Sequence, residues 1–124
     1  MRKMGRRPSL SDDRELKKGT TQLLLLAVLA EGPRHSYAIA REVERWSKEA
    51  LSLGEGALYP ALRALEREGL IVSRWELQPT GPARRLYEIT DTGRQKFARQ
   101  MTAWQKLVEA VGSVIEGAPQ GQAA

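Results

Sequence analysis

The chain of 124 residues has no cysteine, one histidine and one phenylalanine. Without thiols it cannot build a disulfide framework or a thiolate metal site. His35, the lone histidine, suits a turn or cap better than a metal cluster or a catalytic base. A phosphate-cradling glycine loop and a nucleophile–base pair are also missing. These absences argue against an enzyme and give no reason to expect a cofactor or a bound metal. Long hydrophobic runs are lacking too. The longest, "LLLLAVLA" at 23–30, falls well short of the roughly 20 residues that span a bilayer. The basic start "MRKMGRRPSLSDDRELKKG" is not followed by an apolar core and cleavage site at signal-peptide spacing. The expectation is a cytoplasmic chain that neither leaves the cell nor enters a membrane.

What is present is an ordinary soluble composition, 41% hydrophobic and 28% charged, enough for one domain with a modest core. The charge is lopsided. Of the net +5, residues 1–18 supply +4, from seven Lys/Arg against three Asp/Glu. A basic domain with a basic arm suits a polyanionic partner, although a solubilising surface accounts for +5 equally well.

Punctuation divides the chain. Residues 1–16, polar and broken by Gly5 and Pro8, read as a flexible basic arm. A first helix is predicted from Thr20 or Thr21 to Glu31, apolar around most of its circumference and hence central; Gly32 and Pro33 stop it. A second starts near Ser36, a good N-cap, and carries Ile39, Val43 and Trp46 at helical spacing. "ALSLGEG" (50–56) turns into a third helix over 55–68, outlining a helix-turn-helix. After Gly69 the period changes. "LIVSRWEL" (70–77) and "RRLYEIT" (84–90) read as strands joined by the turn-rich "QPTGPA" (78–83). The fold class is mostly α with a small β-hairpin: a winged helix-turn-helix over 17–90, followed by a long C-terminal helix.

That last helix, predicted over 91–116 with Thr90 or Asp91 as its cap, carries Phe97, Met101, Trp104, Val108, Val111 and Ile115 at spacings of four and three, a heptad seam. At 1.5 Å per residue it would be about 39 Å long, whereas the domain before it should be only about 30 Å across. A second copy of the chain is the economical cover, so these six residues form the expected homodimer interface. The remainder, 117–124, is expected to be a disordered tail.

The third helix holds the main functional clue. On a wheel, Leu58, Ala61, Leu62 and Leu65 share one arc and must face the core. The opposite arc holds Gly56, Tyr59, Pro60, Arg63 and Arg67 and no acid. A helix entering the major groove needs slim first turns. Gly56 supplies one, Pro60 offers a compact apolar surface to a thymine methyl, and Tyr59 and Arg63 reach phosphates or a guanine edge. Arg84 and Arg85 are neighbours on the hairpin and so lie on opposite faces. One can reach DNA while the other braces the sheet. Solvated arginines and simple packing are the plainer alternatives, and Tyr87, Trp46 and Trp75 are assigned to packing.

"GTTQLLLLAVLAEGPRHSYAIAREVE", "LSLGEGALYPALRALEREGLI" and "RRLYEITDTGR", in that order, resemble the PadR-like transcriptional regulators over about residues 17–97. The chain departs from the family pattern at Ser36 and Gly54, and its arm is longer than usual. The resemblance implies a dimeric winged-helix regulator of double-stranded DNA, a repressor by the family's habit, acting on an inverted repeat. It adds Ser36, Tyr37 and Ala57 to the DNA-facing residues, Tyr37 and Tyr59 being the motif tyrosines. It also implies a small aromatic or phenolic effector at the dimer interface, where Trp104 is the candidate contact, with plain packing as its alternative role. A competing function is a winged helix that docks a protein; the basic outer face of the third helix argues against it.

Overall fold

The leucine run at 23–30 has no polar side to offer solvent, and the other elements gather around it. The computed structural model describes the backbone of residues 14–122 and the side chains of 19–117. In chain order the elements are α1 (Arg14–Ala30), β1 (Arg34–His35), α2 (Ser36–Trp46), α3 (Glu55–Arg67), β2 (Ile71–Glu76), β3 (Arg84–Ile89) and α4 (Asp91–Gln122). Helix α1 packs against α2, α3, α4 and β3. Its Leu25, Leu26, Val28 and Leu29 are buried beside Ile39 and Val43 of α2 and Leu58, Leu62 and Leu65 of α3. Each fully buried aliphatic side chain contributes about 1.5–3 kcal/mol of transfer free energy, so this contact set is the source of the fold's stability.

Helix α1 starts at Arg14, not at Thr20 or Thr21. "RELKK" is made of good helix formers, and Thr20 is bypassed as a cap because the turn before it is already helical. Residues 1–13 of the expected arm lie outside the described residues.

The hairpin is present, with Ile71 opposite Ile89, Ser73 opposite Tyr87 and Trp75 opposite Arg85. It has a third member. Arg34 and His35 pair with Tyr87 and Leu86, giving a three-stranded sheet in the order β1-β3-β2. Two residues are too few to leave a periodic signal in a sequence. This pairing also moves the start of α2. His35 is held extended (φ −77°, ψ 158°) and takes the N-cap position, so Ser36 is the first helical residue and its hydroxyl is not a cap.

Two turns fix the lengths of neighbouring elements. Just beyond its cap Glu68, helix α3 is closed by Gly69, whose φ of +75° suits a residue without a Cβ, and Leu70 N–H reaches back to the Leu65 carbonyl at 2.9 Å, a Schellman closure. Thr90 caps α4: its hydroxyl accepts the Gly93 N–H at 2.9 Å and donates to the Gly69 carbonyl at 2.8 Å. Helix α4 then continues past Glu116 to Gln122, through the stretch expected as tail.

Gly93 generates a prediction about stability. A Cβ built there would collide with the Leu70 carbonyl oxygen and come within 2.8 Å of Ile89 Cγ1, backbone and core that cannot give way. Gly93→Ala is expected to destabilise the protein by about 1–3 kcal/mol, read as a lower urea midpoint. At Gly112 a Cβ meets nothing within 4 Å. Gly112→Ala, the matched control, should stabilise by about 0.5–1 kcal/mol.

Candidate nucleic-acid interface

The wheel drawn from sequence matches the surface of α3. Gly56, Tyr59, Pro60, Arg63 and Arg67 are all exposed, and Leu58, Leu62 and Leu65 are buried with Ala61 packed against them. Among the described residues nothing within 4 Å would meet a Cβ on Gly56, so none of them requires a glycine there. The helix runs unbroken through Pro60, which lies close enough to the start to be tolerated. One expected residue is misplaced. Ala57 is only 5% exposed and belongs to the core, because it falls one turn before Ala61 on the inward side. Its methyl is not part of the outer surface.

Residues 35–37 join three elements. His35 Nε2–H donates to Glu76 Oε1 on β2 at 2.9 Å. The Ser36 hydroxyl is hydrogen-bonded to the Tyr59 hydroxyl on α3 at 3.2 Å. Exposed Tyr37 carries the Arg84 guanidinium over its ring at 5.4 Å. The start of α2 thus holds the recognition-type helix and both hairpin strands in one arrangement. Ser36, Tyr37, Tyr59 and Arg84 meet there, and the His35–Glu76 tie was not foreseen, since it links residues 41 apart.

A second connection runs from α3 to the hairpin. Ser73 Oγ donates to Glu66 Oε2 at 2.6 Å and accepts from Arg85 Nε at 3.0 Å. Arg85 Nη2 lies 3.8 Å from the same carboxylate, and its guanidinium stacks over Trp75 at 5.1 Å. Of the two adjacent arginines, Arg85 therefore braces the sheet and Arg84 faces outward. Tyr87, buried beneath this cluster, has its phenol pushed above its ordinary value chiefly by desolvation, with Arg85 opposing and Glu66 adding to the shift. Trp46 and Trp75, assigned to packing, pack outside the core. Both are exposed, each beneath an arginine, Arg34 in the case of Trp46.

On α4, Met101, Trp104, Val108, Val111 and Ile115 are exposed, and Leu107 and Val114, outside the heptad positions, widen the stripe. Phe97 is different. It packs against the chain's own core, because the first turns of α4 are pinned there by the Gly93 approach and by Arg94 Nη1–H donating to the Ala30 carbonyl at 3.2 Å.

The model of the transcriptional regulator PadR-like family matches residues 25–99. The chain belongs to the PadR-like family. Among its relatives, the transcriptional regulator Rv3488 of Mycobacterium tuberculosis is 31% identical over 98 residues, 79% of this chain and 88% of that protein. A PadR family transcriptional regulator from Eggerthella lenta superposes with a TM-score of 0.70 at 30% identity, covering 85% of this chain and 89% of that one. Bacillus subtilis PadR, solved in complex with operator DNA, superposes with a TM-score of 0.61 at 26% identity over 66% of this chain, which spans 46% of that protein. In this PadR-like chain, no group of three or more metal-ligating side chains and no helix long and apolar enough to cross a membrane occurs among the described residues.

Burial of Tyr87 has a consequence at high pH. In the unfolded chain a tyrosine ionises near pH 10, and in the folded protein Tyr87 holds its proton to higher pH. Its contribution to stability is complete below about pH 10 and is lost as pH rises through the folded value. Tyr87→Phe should lose less stability than the wild type as pH rises above about 10 in urea titrations. Equal losses would mean that the phenol is not desolvated.

Proposed function

We propose that the protein is a dimeric, sequence-specific DNA-binding regulator, acting as a repressor on an inverted repeat. The observation that carries this is the outer face of α3, where Tyr59, Pro60, Arg63 and Arg67 are exposed with no acid among them and are tied to the start of α2 through Ser36. Helix α3 enters the major groove with Arg63 on a base edge. Gly56 lets the backbone approach, and Ser36, Tyr37, Tyr59, Arg67, Arg84 and Arg85 hold phosphates. The operator complex of Bacillus subtilis PadR supports this use of the fold.

Two chains pair through α4. Seven large apolar side chains between Met101 and Ile115 stand exposed, over about 21 Å of helix, and a copy of the same stripe covers them as a coiled-coil seam. The two α3 helices then meet half-sites about one helical turn apart. Trp104, half-exposed on this seam, gives a flat aromatic or phenolic effector a ring to stack on, and its binding would change the spacing of the two α3 helices.

Selection of bound duplexes from a random pool at near-physiological salt, with the full-length protein, tests the first part. An enriched inverted repeat is expected. Featureless enrichment that fades as salt rises would leave only electrostatic attachment, and a dimer indifferent to DNA even at low salt would favour a protein-docking winged helix. On the selected duplex, Arg63→Ala should cost about 1–3 kcal/mol and narrow the gap to random DNA. An unchanged specificity ratio would remove Arg63 from base reading.

The dimer has its own test. Val108→Asp with Val111→Asp should give monomers in sedimentation, with operator affinity lowered by at least about tenfold, since each half-site is then bound alone. Full-affinity binding by a proven monomer would end the symmetric model.

A further inference from the structure

The hairpin carries an unusual residue on the side that faces α3. Trp75 is 64% exposed and stands on the same side of the sheet as Ser73 and Ile71, the side that faces α3 through the Ser73–Glu66 hydrogen bond. A solitary exposed tryptophan is ordinary. This one is not solitary: the Arg85 guanidinium stacks on it. That guanidinium is fixed by a hydrogen bond from Nε to Ser73, with the Glu66 carboxylate 3.8 Å from Nη2, too far for a hydrogen bond. Of the five N–H donors that a guanidinium carries, only Nε–H is used among the described residues. On α3, Arg63 is exposed and acts on the Tyr87 phenol, as Arg85 does from the hairpin.

The junction of α3 and the hairpin thus has a cation on each element, one acid already engaged, and an exposed aromatic ring on the hairpin. A sugar–phosphate strand matches this pattern. Its phosphate takes the unused Arg85 donors, and its deoxyribose, the apolar part of the backbone, lies on the indole. We propose that Trp75 is a DNA-contacting residue that packs on the deoxyribose of a strand lodged between α3 and the hairpin. In the same arrangement Glu66 is a positioning residue that, through Ser73, keeps Arg85 aligned with the indole. This rests on the DNA-binding function proposed above and adds to it a contact blind to base sequence, because every nucleotide presents the same sugar and phosphate.

The test measures equilibrium binding of the full-length protein to two probes, the duplex recovered by selection and a random-sequence duplex of the same length, over a series of salt concentrations. Trp75→Ala should weaken both probes equally, on the order of tenfold, the scale of a modest hot-spot truncation, without changing the salt slope. Trp75→Phe should restore most of the affinity. Arg85→Ala should lower the slope by about one phosphate contact. Glu66→Ala should weaken binding several-fold in the wild type and add nothing in an Arg85→Ala background, a non-additivity expected only if Glu66 works through Arg85. Trp75→Ala within twofold of a normally binding wild type would overturn the inference and leave the DNA-binding function standing. Loss confined to the selected duplex would overturn it too, since Trp75 would then be reading sequence. A wild type that binds neither probe would overturn both proposals together.

Discussion

A helix apolar on nearly every side can exist in water only if other elements cover it. Helix α1 imposes that condition here. Leu25, Leu26 and Leu29 are completely buried, and truncating any one would cost about 2–5 kcal/mol. Helices α2 and α3, strand β3 and the start of α4 are the cover. Each gives α1 its apolar face, so each must turn its polar face outward. The exposed, cationic side of α3 is therefore a by-product of core formation: once Leu58, Leu62 and Leu65 are committed inward, Arg63 and Arg67 have nowhere to go but out.

A surface suited to a rigid polyanion must also hold still, and short connections provide for that. Three consecutive residues, His35, Ser36 and Tyr37, reach respectively to β2, α3 and β3, so α2 cannot shift without moving the hairpin and α3 with it. Glu66 and Ser73 repeat the tie from the far end of α3. Individually, such half-exposed polar contacts contribute little to stability. Their effect is on geometry: the side chains that would meet a phosphate backbone are oriented before any partner arrives, which lowers the ordering cost of binding.

Helix α4 shows the opposite condition. Its first turns are pressed onto the domain so closely that Gly93 admits no side chain, and Phe97 completes the core. Beyond that the domain ends and the helix does not. From Met101 to Ile115 its large apolar side chains stand exposed among the described residues. A stripe of this kind on an otherwise polar helix suits association, and its near-heptad spacing is why a second α4 is the proposed complement.

Much of this could be read from the residues alone. The leucine run, the 3.6-residue period of α3, the alternation at 71–76 and 84–89, and the heptad on α4 are periodic signals, and periodicity reports directly which side of an element will be buried. They determined the element types, the order of the winged helix-turn-helix, and the outward set on α3 apart from Ala57. Tertiary structure decided what depends on pairs distant in sequence. The two-residue strand β1 exists only because β3 is beside it, and by holding His35 extended it removes Ser36 from the cap and directs its hydroxyl to Tyr59. Arg84 and Arg85 are indistinguishable as neighbours in a sequence; Tyr37 and Glu66, arriving from other elements, assign one outward and one to the brace. Trp46 and Trp75 read as packing residues, and tertiary structure chose their partners: each stands exposed under an arginine from another element or strand. A sequence states which way a residue faces along its own helix or strand. What waits on the other side is a property of the fold.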